Sequence, residues 1–269
     1  MMKDLTIFVP LNQYDEEVLK LLKDALSSVR EQDKDVTIEV SCPSNKVKEL
    51  TKDIAEYNVS IHTIEDGNET DFCSQVNDFA KRCTTKWFSI LEYDDAYTPF
   101  WLKNVEEYSS YYQYIDVYLP LVEIHDYNTS NMIGYVNEIV WASSFSDKLG
   151  YVDFDSLEAV NEYNFTGGII KTELFNELGG LKPSVKISFW QEFMLRLCYN
   201  GYNVFVIPKV GYYHIIGRDG SLSSTYNKEI GEEEAKWWME LAKQEYFFKE
   251  DRKKEYNPNI KTETIADLK

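Results

Sequence analysis

Trp87-Phe88-Ser89-Ile90-Leu91-Glu92-Tyr93-Asp94-Asp95-Ala96-Tyr97-Thr98-Pro99 decides how the rest of the chain is read. A short apolar strand runs into an acidic cluster, and Pro99 ends it. In an open α/β sheet, ligands sit beyond the carboxyl ends of the strands. Carboxylates placed there are hard oxygen donors, suited to Mg²⁺ or Mn²⁺ that also binds phosphate. The local pattern is shared by solvated acidic turns, so the flanking sequence has to separate the two.

Upstream, the rhythm is regular. Leu5–Val9 is an apolar run ended by Pro10, the pattern of a buried parallel strand. From Glu16 to Arg30, Val18, Leu19, Leu22, Ala25, Leu26 and Val29 recur at helical spacing. Val36–Val40 reads as a second strand, Lys46–Tyr57 as a helix and Val59–Ile64 as a third strand. Thr70–Cys83 reads as another helix, before the fourth strand at Trp87. Strands alternating with helices predict a mostly parallel central sheet covered by helices on both faces, a three-layer α/β/α sandwich.

After Pro99 the rhythm changes. Phe100–Tyr112 reads as a helix, Tyr114–Ile124 as a strand, and Met132–Trp141 as a strand returning after the turn at Asn128–Asn131. Leu174–Leu178 ends as a helix at Gly179-Gly180. Phe189–Tyr199 is a helix stopped by Asn200-Gly201, and Val204–Ile207 is a strand closed by Pro208. Glu232–Lys249 reads as a long charged helix, and the chain is polar and frayed from Glu250.

Composition bounds the function. The 269 residues carry a formal net charge of −18, which disfavours binding to a nucleic-acid backbone. Cys42, Cys73, Cys83 and Cys198 form no C-x-x-C pair, and no leader-like or membrane-spanning apolar run occurs. A cytoplasmic protein with reduced thiols and no membrane span is expected. Twenty tyrosines suit amphipathic ligands such as sugars, although ordinary half-buried packing is the better account of most of them.

Taken in order, these pieces resemble the family-2 glycosyltransferases of the GT-A fold, over roughly residues 5–225. Ile7-Phe8-Val9-Pro10-Leu11-Asn12 resembles the family's first strand and its end. Asn68–Asn77 resembles the segment that closes on an Asn before a helix. Glu92-Tyr93-Asp94-Asp95 with Pro99 resembles "D-x-D-D-x-x-x-P", with Glu in first place. Gly167-Gly168 resembles the small-residue acceptor loop, Gly179-Gly180 the "G-G-F-D" turn, and Leu195-Arg196-Leu197 with Gly201 the "L-R-x-x-x-x-G" helix end. His214 with Ser221 and Ser223 resembles the C-terminal His and Ser-rich loop.

The resemblance implies a metal-dependent, inverting transfer of a sugar from a UDP- or GDP-sugar to a glycan or other hydroxyl acceptor. It implies Asp95 and His214 as ligands of Mn²⁺ or Mg²⁺. It implies Pro10, Asn12, Asn77, Glu92, Asp94, Gly167, Gly168 and Arg218 around the nucleotide sugar. Residues 1–225 would form the transferase domain, nucleotide-binding to about residue 100 and acceptor-binding beyond, with 226–269 a C-terminal helix and tail.

Two departures stand out. The second strand ends in Cys42-Pro43-Ser44, where many members carry a base-reading Asp. The family's catalytic Asp, counted back from Arg196, falls on Trp190; counted forward from Gly180 it falls near Gln191. Glu192 is the carboxylate left in that segment and is the candidate base, its rival role being an i, i+4 partner of Arg196. Trp141, Trp190 and the tyrosines from Tyr108 to Tyr118 are candidates for an acceptor platform. An active transferase and a catalytically inactive binding or assembly module of the same fold both remain open. A nucleotidyltransferase would need a Gly-rich basic loop after the first strand, and Leu11-Asn12-Gln13-Tyr14 is not one.

Overall fold

Leu5–Val9 forms β1, and all five residues are buried, as in a strand with helices on both faces. Leu5, Ile7 and Val9 point into one core and Phe8 into the other, the two-residue alternation of a pleated strand. The computed structural model describes residues 2–65, 71–142, 148–160, 163–219 and 221–244.

The first helix, α1 (Glu16–Arg30), starts where Asp15 accepts the Val18 N–H at 2.9 Å. Glu16 and Glu17 sit in its first turn and Arg30 in its last, each favourable to the helix dipole. The chain continues through β2 (Thr37–Pro43), α2 (Val47–Asp53), β3 (Ser60–Ile64), α3 (Phe72–Arg82) and β4 (Trp87–Ile90). Then come β5 (Ala96–Tyr97), α4 (Trp101–Tyr111), β6 (Val117–Asp126), β7 (Met132–Val136), β8 (Tyr151–Val152) and α5 (Phe154–Ala159). The last elements are β9 (Ile169–Lys171), α6 (Thr172–Glu177), α7 (Phe189–Tyr199), β10 (Val204–Ile216) and α8 (Leu222–Ala242).

One sheet runs in the order β3-β2-β1-β4-β9-β6-β10-β5, with β7 against β6 and β8 against β10. Along that path only β9 and β5 oppose the common direction. Side chains of α1, α2 and α4 fill one face of the sheet, and those of α3, α5, α6 and α7 fill the other. The expected three-layer α/β/α arrangement is present. No helix among the described residues is long and apolar enough to cross a membrane.

Four expectations about elements change. The helix read over Lys46–Tyr57 stops at Asp53, and a 3₁₀ turn at Ala55–Tyr57 follows before Asn58 turns left-handed. The returning strand stops at Val136. There Asn137, also left-handed, donates its amide to the carbonyls of Pro120 and Asn164. Pro208 does not close the last strand. The register against β6 shifts between Val206 and Val210, so the missing N–H falls in an irregularity of the ladder. The C-terminal helix begins ten residues earlier than read, at Leu222, and kinks at Gly231. The tail from Glu250, the last residues of that helix as read, and Asn68 lie outside the described residues.

Candidate functional site

The carboxyl ends of β1 and β4 lie side by side, joined where Leu91 N–H donates to the Phe8 carbonyl at 2.9 Å. The chain then turns sharply, with Asp95 N–H on the Glu92 carbonyl. This turn throws Glu92 and Asp94 toward a cleft of about 280 Å³. Asn12, His214 and Arg218 share that wall. A small side recess, lined by Pro10, Asn12, Phe72, Gln75, Glu92 and Tyr93, opens beside it.

Strand β10 assembles the acidic wall from behind. The Asp95 carboxylate is 1% exposed. Its Oδ1 accepts the Ile215 N–H at 2.8 Å, and its Oδ2 lies 2.9 Å from His214 Nδ1. Burial opposes a charge on His214. Asp95, joined by Glu92 and Asp94, outweighs that and raises the imidazole to about 9. Arg218 sets both Nε and Nη2 2.9 Å from Asp94 Oδ2 and donates to the Tyr93 hydroxyl at 2.7 Å. Burial, then the Asp95 charge, raises Asp94, while Arg218 pulls it down. Glu92 is pushed up to about 8, first by burial and then by Asp95, against His214 and Arg218. The Glu92 backbone N–H donates to the Tyr212 hydroxyl at 3.2 Å.

The rest of the lining is largely aromatic. Phe72, Phe165, Phe189 and Trp190 belong to it, interspersed with Asn164, Thr166 and Gln191, and Met239 of α8 reaches in. The Trp190 indole is half-buried among Phe72, Phe165, Phe189 and Phe193, with ring centroids 6.2–6.4 Å away.

Several expected site residues are thus brought together: Asn12, Glu92, Asp94, His214 and Arg218 on the cleft, with Pro10 on the recess. Others are not. Asp95, expected to hold the cation, does not line the cleft, and both its oxygens are engaged by β10. Asn77 instead pins the glycine turn: its Oδ1 accepts the Leu181 N–H at 2.7 Å and its Nδ2 donates to the Leu181 carbonyl. Gly167 and Gly168 are buried behind the wall. A Cβ on Gly167 would stand 2.3 Å from the Tyr212 ring, and one on Gly168 would stand 2.7 Å from Leu119.

Glu192 is the clearest correction. It is fully buried and off the cleft. Arg196 binds its two oxygens at 2.9 Å each, and Lys182 approaches at 3.3 Å. The same guanidinium donates to the carbonyls of Leu178 and Gly180. A carboxylate buried and paired this way, off the cleft, is out of reach of an acceptor hydroxyl. Trp141 and the tyrosines Tyr108 and Tyr112 surround Phe205 away from the cleft, leaving Trp190 as the platform candidate that lines it.

Sequence reasoning missed Tyr93, which braces Arg218, and the Ser41–Gln75 pair behind the recess. Ser41 accepts the Leu11 N–H and donates to Gln75 Oε1. Both residues are almost fully buried polar groups. Ser41 next to the noted Cys42-Pro43 was the available signal.

For a divalent cation, the residue types on the cleft suit, with hard oxygens from Glu92 and Asp94 and an imidazole nitrogen from His214, but Glu92, raised to about 8, and His214, raised to about 9, must give up their protons to serve as ligands. Among the described residues, no three acidic, imidazole or thiol side chains are arranged as a ready cage, and Arg218 already sits on Asp94.

A mostly parallel sheet covered by helices on both faces, with an acidic turn at its strand ends, is the architecture of the GT-A fold. The profile of glycosyl transferase family 2 matches residues 7–155, more than half of the chain, and the chain belongs to that family. His214 and Arg218 lie beyond the matched stretch. Among solved structures, residues 1–349 of S. aureus TarS in complex with UDP-GlcNAc are similar at TM-score 0.61 and 17% identity, covering 83% of this chain and 61% of that one. The mannosyltransferase PcManGT from Pyrobaculum calidifontis, in complex with GDP-Man and Mn²⁺, is similar at TM-score 0.58 and 14% identity, covering 81% and 58%. The chain thus spans about three fifths of these two solved chains, and 37% of the longer chain of S. aureus TarS. Comparison with curated protein sequences finds no significant match.

Proposed function

We propose that this chain binds a nucleoside-diphosphate sugar, UDP- or GDP-linked, and transfers the sugar to a hydroxyl acceptor. The observation that supports this is the acidic turn of Glu92 and Asp94 opening on a cleft whose lining also includes Phe72, Phe165, Phe189 and Trp190. The four cysteines are free thiols, which supports the cytoplasm as the place of action. Residues up to about 225 would form the transferase domain, with α8 closing one side of the cleft through Met239.

Glu92, Asp94 and His214 would hold a divalent cation, Mn²⁺ or Mg²⁺, that offsets the diphosphate charge. Asp95 would serve behind them by orienting His214. Arg218 must release Asp94 for this, and a freed guanidinium suits a bidentate contact with diphosphate. Asn12 and Pro10 would border the nucleoside.

An inverting transfer also needs a proton acceptor beside the acceptor hydroxyl. The cleft offers Trp190 and Gln191 at that place, and neither is a base. That specific observation favours a second reading, a donor-binding module without transfer. Calorimetry with UDP and GDP in Mn²⁺ or Mg²⁺, followed by assay of nucleoside diphosphate release from the matching sugar nucleotide, separates them. Binding with release upon adding acceptor supports the transferase. Binding with no release under any acceptor supports the module. Absence of binding to either nucleotide overturns both.

A further inference from the structure

We infer that Arg218 competes with the divalent cation for Asp94, so that the cation is admitted only together with a nucleoside diphosphate. This deepens the donor-binding reading above, as the regulation of that site, and rests on it. Asp94 and Arg218 are 124 positions apart in sequence, yet their side chains are only 8% and 4% exposed. Nε and Nη2 of the guanidinium both lie 2.9 Å from Asp94 Oδ2. Nη2 also donates to the Tyr93 hydroxyl at 2.7 Å, and the guanidinium carbon stands 5.2 Å over the Tyr93 ring. Two positive charges on one buried carboxylate repel. Lifting Arg218 away with nothing to receive it strands a nearly buried guanidinium, which is strongly unfavourable.

A diphosphate changes that balance. Its oxygens match the fork of the guanidinium and give it a new partner. Divalent cations such as Mg²⁺ bind through one or two carboxylates together with substrate phosphates, so the same diphosphate favours the exchange at Asp94. Nucleotide and cation then tighten each other's binding, equally in both directions by linkage. The backbone suits the exchange. Arg218 lies past the end of β10, directly after Gly217 at φ +82°. The bonds on this stretch are long: the Asn128 amide on the Gly217 carbonyl and the Ser221 N–H on the Arg218 carbonyl are each 3.3 Å. The strand end itself is fixed, with the Tyr127 N–H on the Ile216 carbonyl at 2.8 Å. The exchange therefore asks for movement only past the strand.

The test uses the full chain and Mn²⁺, with binding followed by loss of the free-ion EPR signal in about 150 mM KCl to screen long-range charge. Without nucleotide, Arg218→Gln is expected to bind Mn²⁺ about tenfold or more tightly than wild type. Arg218→Lys, which lacks the fork, should fall between them. Adding Asp94→Asn to Arg218→Gln should abolish the gain, which separates competition at Asp94 from a general change of charge. Saturating UDP or GDP, corrected for Mn²⁺ held by free nucleotide, should tighten Mn²⁺ binding more in wild type than in Arg218→Gln. Melting curves accompany each titration, and Arg218→Lys, which keeps a charge beside Asp94, carries the comparison if Arg218→Gln does not fold. Equal Mn²⁺ affinity in wild type and variant without nucleotide, undetectable binding in both included, overturns the inference. So does a gain that survives Asp94→Asn. Failure of wild type to bind any nucleotide counts against the donor reading, whereas the comparison without nucleotide still decides the competition.

Discussion

Asp95 and His214 lie 119 positions apart in sequence and 2.9 Å apart in space, and much of the site's charge balance runs through them. The folded imidazole titrates near 9 rather than 6.5. Between those values the native state binds more protons than the unfolded chain, so stability falls as pH rises. Glu92, raised to about 8 from 4.5, acts in the same direction over its own window. From these two groups the expected outcome is an unfolding free energy that declines from about pH 4.5, where the Glu92 window opens, to about 9, where the His214 window closes. Asp95→Asn should flatten the decline and bring the His214 ring titration, followed by NMR, down from about 9. An unchanged titration would show that Asp95 is not what holds the charge. The roles of Asp94 and Asp95 could not be told apart in sequence. Neighbouring side chains diverge, and which one faces the ligand is set by β10, more than a hundred residues later.

At the scale of elements, α7 and the Gly179-Gly180 turn form one unit, closed by Glu192, Arg196 and Asn77. Glu192→Gln leaves a fully buried guanidinium short of its counter-charge and should cost about 3 kcal/mol of stability in denaturant unfolding. Nucleotide affinity per folded molecule should be unchanged, since Glu192 does not border the cleft; a tenfold loss would restore it to the site. Gly167 ties its own loop to the acidic turn. Its φ of +75° and the Tyr212 ring leave no room for a Cβ, and Tyr212 holds the Glu92 N–H. Gly167→Ala should therefore destabilise by roughly 2 kcal/mol and also weaken nucleotide binding. Normal affinity in the folded variant would separate Tyr212 from the site. The elements legible in sequence were those whose own period carries the signal: β1, α1, α3, β4 and α7. β9 was illegible because three residues, Ile169–Lys171, have no period to read. They become a strand by filling the gap between β4 and β6. β10 was read too short because a proline usually ends a strand, and the irregularity that tolerates it is a property of the pair.

For the whole molecule, the excess of acidic over basic residues sets how an anionic ligand arrives. A field from −18 charges repels a nucleoside diphosphate, and salt screens repulsion as it screens attraction. At saturating divalent cation, the association rate of UDP or GDP is expected to rise with added KCl from about 20 to 200 mM, measured by stopped flow. A fall would mean that the local field of Arg218 and the cation governs encounter. The fold class was legible because it depends on the order of many periodic segments. The cleft was legible only on its acidic side. The aromatic lining is gathered from α3, the Tyr163–Thr166 loop, α7 and α8, and no single window of sequence contains it.

The length of β10 also has a consequence for how the protein is made. Glu92, Asp94 and Asp95 leave the ribosome long before His214, Ile215 and Arg218, the groups that satisfy two of those carboxylates. Until β10 slots between β6 and β5, the acidic turn has every reason to stay hydrated, because burying it unpartnered is costly. The parallel half of the sheet can close early around β1 and β4, whereas the turn at its rim is a late folding event. A nascent chain stalled with β10 still in the exit tunnel should already protect the amides of Ile7 and Phe8 from hydrogen exchange, and leave open the Thr98 amide, which donates to the Gly211 carbonyl of β10.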